Sequence, residues 1–441
     1  MPDNLQLDDS GSIQYQPLLT KIILQAPKSI NDLDIDILLV ENLIIKHIHH
    51  NRYLSFHEIC QQVGLCGPIC ESIIEILREK QIVESTLDAM GGRVFRLTKK
   101  GITNAAEIRE RCTYLGPAPI SIKQYSQLVK QQKKIFTKDS LQNITSHLLS
   151  LDLESDVIES IGPGIISRRP LLIYGAAGTG KSYLCKAIAG ILGDTCDIPY
   201  AIAVGRSILP LYNPTIHKQE SSKNSSDEIL LNQLKDRRLI RIKRPVIIVG
   251  GELELSAFEV RRDSETEQFH APLQVLANSG VLVIDDLGRQ KISVEQIFNR
   301  WILPLEEQED NFSMGQNGQK FTIPLDMQLV FSTNLNPSDI ADPAFLRRIG
   351  YKIRLGDLSE QQFKAIYRKE MSKIAIDFDP DIEDLLVKKL YPNYGMRMRA
   401  THPRDLLRIA QDYAQFSECD SRVQIKHMIK AWKSYFMTDA E

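Results

Sequence analysis

Lys181 and Ser182 close the stretch GAAGTGKS, which begins at Gly175. Far downstream, the apolar run VLVI ends in two adjacent carboxylates, Asp285 and Asp286. The two stretches are chemically complementary. Gly175, Gly178 and Gly180 let the backbone wrap closely, so that the amides of Ala176, Ala177, Thr179 and their neighbours can turn inward around an anion. A helix starting at the end of that loop adds the positive end of its dipole. Lys181 supplies a mobile positive charge for the outer phosphates. Ser182 and Asp285 supply the hard oxygens that magnesium prefers. Asp286 is then free to orient and polarise a water. Such a set can bind a magnesium polyphosphate and cleave its terminal phosphate. The tail of the acidic stretch, Gly288-Arg289-Gln290, either contacts a neighbouring subunit or turns the chain.

Four further polar residues sit where they can assist. Asn334 ends the apolar strand QLVFST, and ligand groups gather at such strand ends in a parallel sheet. Arg347 and Arg348 follow in DPAFLRRIG. At a subunit boundary they can neutralise charge on a neighbour's phosphate; otherwise they form a surface pair. Arg404 lies in HPRDLLRIA, within a helical tail.

The elements that must position these groups follow from pattern. LLIY precedes the glycine loop and SYLCKAIAGIL follows it. YAIAV, PVIIVG, GVLVIDD and MQLVFSTN alternate with helical segments, which predicts a parallel α/β sheet. Upstream, DILLVENLIIKHIHH, SFHEICQQVG and PICESIIEILREK read as three helices, the second capped by Ser55 with Glu58. IVEST and RVFRLT read as a hairpin, and KKGITNAAEIRERC as a closing helix. This front portion resembles a winged-helix domain. The expected division is a loosely ordered lead-in (1–34), a winged-helix domain (35–113), a linker (114–134), an α/β ATPase domain (135–355) and a helical lid (356–441).

From about residue 135 onward the motifs together resemble the AAA+ ATPases. GAAGTGKS is similar to the Walker A loop and VLVIDD to the Walker B strand. The hairpin-like NFSMGQNGQKFTIP before the strand of Asn334 is similar to a pre-sensor-1 insertion. That feature, with APLQVLANSG and FNRWILPLEE, resembles the MoxR-like branch. The resemblance implies ATP and Mg2+ as ligands. It also implies a homo-oligomeric ring such as a hexamer, with ATP between subunits. Asn334 would be sensor 1, Arg348 or Arg347 an arginine finger donated in trans, and Arg404 sensor 2. Its implied activity is ATP hydrolysis coupled to remodelling of a protein client. The sequence departs from the family at Asp286, where a Glu is usual, and in a long segment between the two Walker motifs. An ATP-dependent DNA-binding regulator and a slow nucleotide switch are the alternatives.

Composition bounds these readings. The chain of 441 residues carries 54 basic and 56 acidic residues, so no global charge points to nucleic acid or an anionic membrane. Glu71, Glu75 and Glu79 on the third helix oppose docking against phosphates, which favours a protein over DNA as partner, while Arg93 and Arg96 on the wing keep DNA open. No apolar run is long enough to span a bilayer, and the polar start is unlike a signal peptide; a cytoplasmic location is expected. Seven scattered cysteines fit that location. Cys60, Cys66 and Cys70 lack zinc-knuckle spacing and are expected to be structural. KQESSKNSSDE, from Lys218, reads as a polar loop. KDRRLIRIKRP, Lys235 to Arg244, reads as a solvated basic edge or as a contact for an acidic partner or nucleic acid.

Overall fold

The computed structural model describes residues 24–87, 91–133, 136, 138–220, 236–314, 318–340, 342–374, 377–417 and 422–437. Most of the expected lead-in and most of the polar loop from Lys218 lie outside these residues. The chain forms two compact units.

The first unit begins with α1 (Ile37–Asn51), β1 (Tyr53–Ser55), α2 (Phe56–Val63) and α3 (Gly67–Glu79), then β2 (Val83–Leu87), β3 (Arg93–Leu97) and α4 (Lys99–Arg111). The helices form because their apolar residues recur on one face and good caps start them. Ser55 accepts a hydrogen bond from the Glu58 amide, and Glu58 Oε2 accepts one from the Ser55 amide at 2.8 Å. Leu43, Ile44, Ile59, Ile73, Leu77 and Phe95 share one core with Cys60 and Cys70. β3 lies between β1 and β2, antiparallel to both. The three-residue β1 escapes sequence reading because it is too short to alternate.

The expected linker, 114–134, holds β4 (Ile120–Ser121), which leads directly into α5 (Ile122–Gln131). β4 pairs in parallel with the strand Ala201–Val204. Part of the long segment between the Walker motifs therefore belongs to this unit, and Ala201, Ala203 and Ile208 join its core. Arg206 binds Asp36 at 3.0 Å in the same unit.

The second unit holds a five-stranded parallel sheet. Its order is β6 (Val246–Val249), β7 (Val281–Ile284), β8 (Gln328–Thr333), β5 (Leu171–Tyr174) and β9 (Tyr351–Arg354). β5, β7 and β8 are buried nearly throughout, as central parallel strands with both faces covered must be. α6 (Lys181–Ile191) follows the glycine loop and packs Leu184, Cys185 and Ile188 on the sheet. Glu309–Met314 and Gln319–Pro324 pair as the expected hairpin just before β8. The C-terminal part is helical: α7 (Glu360–Met371), α8 (His402–Phe416) and α9 (Ile425–Phe436) enclose Phe363, Tyr391, Leu406 and Trp432. The fold class is the expected one, α/β, with a P-loop parallel sheet followed by a helical C-terminal region. Among the described residues, no helix is long and apolar enough to cross a membrane.

The basic run at 236–244 is not the solvated edge that composition suggests. In the first unit Arg238 is fully buried against Asp236, also fully buried, at 2.7 Å. In the second, Arg244 binds Asp194 at 2.6 Å and the Ser279 carbonyl at 2.6 Å, while Arg241 binds Glu220 at 3.1 Å. The acids that neutralise Arg241 and Arg244 lie outside the run, which is why its charge looks unopposed in sequence.

Candidate nucleotide site

Gly175 to Gly180 bridge the C-terminal end of β5 and the first turn of α6. Gly178 has φ +85°, and a Cβ there would stand 2.7 Å from Thr401 Oγ1. At Gly175 a Cβ would lie 2.2 Å from the Leu355 carbonyl oxygen, a backbone atom that cannot give way. The loop needs glycine for space as well as for φ. Thr179 Oγ1 closes it by donating to the Ala176 carbonyl at 3.0 Å.

Lys181 starts α6 and is buried. Its Nζ donates to the Gly175 and Ala176 carbonyls at 2.8 Å each. Burial pushes this ammonium below the ordinary lysine value, while Asp286 and Asp285 pull the other way. Ser182 Oγ donates to Asp285 Oδ2 at 2.8 Å. A hydroxyl and a carboxylate oxygen thus converge beside the loop, a pair suited to Mg2+. The glycine cradle and this oxygen pair fit a magnesium polyphosphate.

Asp286 follows directly, with φ +52°. Asp tolerates this left-handed conformation better than most side chains. Its Oδ1 accepts from Asn334 Nδ2 at 3.1 Å, and its amide donates to Asp285 Oδ1 at 2.9 Å. The turn beyond is pinned by Gln290: its Nε2 donates to the Asp285 carbonyl at 2.8 Å, and its Oε1 accepts from the Gly288 amide at 2.9 Å. Thr333 Oγ1 donates to the Leu287 carbonyl at 2.8 Å. Gly288-Arg289-Gln290 therefore turns the chain, with Gln290 as the clasp that ties the turn back to the Asp285 backbone.

The loop, Lys181, Ser182, Asp285, Asp286 and Asn334 are thus brought together. The three arginines expected at the site make other contacts. Arg348 binds Glu306 at 2.6 Å and the Ala344 carbonyl at 2.9 Å, and Arg347 beside it is exposed. Arg404 is exposed and paired with Asp405 at 2.9 Å. The arginine that reaches the loop is Arg399, whose Nη1 donates to the Ala177 carbonyl at 2.8 Å. The Thr401 amide donates to the Gly178 carbonyl at 3.1 Å. Sequence reading missed Arg399: it stands in a loop before α8, where no periodicity or motif marks it.

Fold and site together define a P-loop protein of the α/β class. The model of a family described as a domain of unknown function (DUF8689) matches residues 359–434, within the helical C-terminal region. No curated protein matches the chain. Among solved structures, it is similar to NtrX from Brucella abortus in complex with ADP, with 11% identity and a TM-score of 0.39 over 81% of this chain and 59% of that one. NtrX in complex with ATP gives 12% and 0.38 over 74% and 62%. The Thermotoga maritima RuvB Holliday junction branch migration motor gives 13% and 0.37 over 69% and 71%. The chain spans less than two thirds of the NtrX chain in both complexes.

Proposed function

We propose that this protein is a magnesium-dependent ATPase of the AAA+ type, of the MoxR-like branch. The observation that carries the reading is the continuous chain Ser182–Asp285–Asp286–Asn334 beside the glycine loop. Loop amides and Lys181 hold the outer phosphates; Ser182 and Asp285 hold Mg2+, which neutralises charge that builds on the transferred phosphoryl group. Asp286 orients the attacking water and takes its proton, and Asn334 fixes the Asp286 carboxylate. Arg399, carried by the helical lid, links lid position to the loop. Arg348 or Arg347 is donated in trans to a neighbour's ATP in a ring such as a hexamer. For Arg348 this requires release from Glu306.

The N-terminal winged-helix portion (35–113) is an adaptor for a protein client, which the cytoplasmic ring remodels. Glu71, Glu75 and Glu79 are all exposed on α3, which supports a protein partner over DNA. A slow nucleotide switch is the second reading. It is favoured by the short Asp286 side chain already being engaged by Asn334.

The test is steady-state phosphate release with Mg2+ and ATP, wild type against Lys181→Ala. Turnover well above the variant is expected; equal rates would overturn the enzyme reading. Gel filtration with and without ATP tests the ring.

A further inference from the structure

The first unit buries a positive charge that no carboxylate answers. Lys46, on α1, is only 4% exposed. Its Nζ donates to the Tyr114 carbonyl at 2.5 Å and the Cys112 carbonyl at 3.2 Å, and it lies 3.7 Å from Cys112 Sγ. Among the described residues no carboxylate acts on it. Carbonyl dipoles balance an ammonium only in part, and a buried cation ordinarily has an anion beside it or gives up its proton. Burial does push Lys46 below the ordinary lysine value, and the group that pushes back is the Cys112 side chain. The nearby Tyr114 phenol is a poor source of the anion: burial pushes it up, and it donates to the Pro117 carbonyl at 2.9 Å. The Cys112 sulfur is the group left to supply it.

Cys112 also differs from the other described thiols. It caps the C-terminus of α4 and is partly exposed. Cys60, Cys70, Cys185 and Cys196 are buried, and burial pushes Cys185 and Cys196 up to about 12. Cys66 is likewise partly exposed, but its Sγ faces acceptors, donating to the Pro27 carbonyl at 3.3 Å. An acceptor favours the protonated sulfur, whereas a cationic donor favours the thiolate, which is the nucleophile. Exposure and a facing cation thus coincide at Cys112.

We propose that Cys112, with Lys46 as its counter-ion, is a modification site for hydrogen peroxide. The thiolate attacks one peroxide oxygen. An S–O bond forms, the O–O bond breaks and hydroxide leaves, to be protonated by solvent. Sulfur is oxidised by two electrons to the sulfenic acid, and the peroxide is reduced by the same two. Lys46 stabilises the thiolate before the attack and the sulfenate after it. Peroxide is small and uncharged, so it suits a sulfur that is only partly exposed. The site does not depend on the ATPase reading.

The experiment exposes the full-length protein to hydrogen peroxide with dimedone present, then reads each cysteine separately by peptide mass spectrometry. Cys112 should be labelled at least tenfold faster than Cys66. Lys46→Met keeps most of the side chain and removes the charge. It should slow labelling at Cys112 at least tenfold and leave Cys66 within about twofold. A purely structural loss would instead loosen the unit and speed labelling at both thiols. Thermal melting shows whether the variant folds; should it not, the wild-type comparison of Cys112 with Cys66 still decides. Labelling of Cys112 no faster than Cys66, or at the same rate in wild type and folded Lys46→Met, would overturn the proposal.

Discussion

Replacing Asp286 by Asn removes one negative charge and keeps the shape. Asn accepts the left-handed backbone at this position as readily as Asp, so φ +52° costs nothing new. The Asn334 amide, 3.1 Å away, can still donate to the remaining side-chain oxygen. Lys181, the loop amides, Ser182 and Asp285 are untouched, so ATP should bind as before. What disappears is the group proposed to orient the water and take its proton. Such groups contribute roughly 10²- to 10⁴-fold in rate, or about 3–5 kcal/mol of barrier. The expected outcome in a phosphate-release assay is a kcat lower by that factor with KM within about threefold. Asp286→Glu should retain part of the activity, since it keeps the charge but asks a longer side chain to adopt the same backbone. A kcat for Asp286→Asn within threefold of wild type would refute the catalytic role and leave Asp286 as a turn residue.

Arg399→Ala should weaken ATP binding about tenfold, because the arginine beside the loop is lost, whereas Arg404→Ala should change it less than threefold; fluorescent-nucleotide titration separates the two. Gln290→Ala removes both bonds of the clasp and should cost about 1 kcal/mol of stability and several-fold in kcat, read by thermal melts and phosphate release. His402 is held neutral: burial, with Arg399 adding to it, pushes its pKa down to about 4, and its Nδ1 lies 2.8 Å from the Tyr391 hydroxyl. The unfolded chain takes up that proton near pH 6.5, so the contribution is complete above that pH. It is lost as pH falls towards about 4, a swing of up to about 3 kcal/mol. Denaturant titrations of wild type and His402→Gln across this window should show a flatter pH dependence for the variant.

The parts of the site that sequence displays are those coded by contiguous residues. A glycine loop between a strand and a helix is recognisable because each glycine answers a local demand, as at Gly178 against Thr401. The Ser182–Asp285 contact joins residues far apart in sequence, yet it follows from the shared magnesium chemistry of the two types. Arg399 was invisible for the opposite reason: its place beside Ala177 depends on how the helical C-terminal region packs. The run around Arg238 misled because burial and pairing with Asp236 are three-dimensional facts that composition does not carry. The pairing of Ala201–Val204 with Ile120–Ser121 was equally hidden, since two short strands carry no signal of register or partner.

The most direct measurement is titration calorimetry of ATP with Mg2+ into the full-length protein and its Lys181→Ala variant. One site of micromolar affinity or better is expected for the wild type, weakened at least tenfold by the substitution and by omission of Mg2+. No binding by the folded wild type, or equal affinity in the variant, would contradict the reading of Gly175–Ser182 and Asp285 as a magnesium–ATP site.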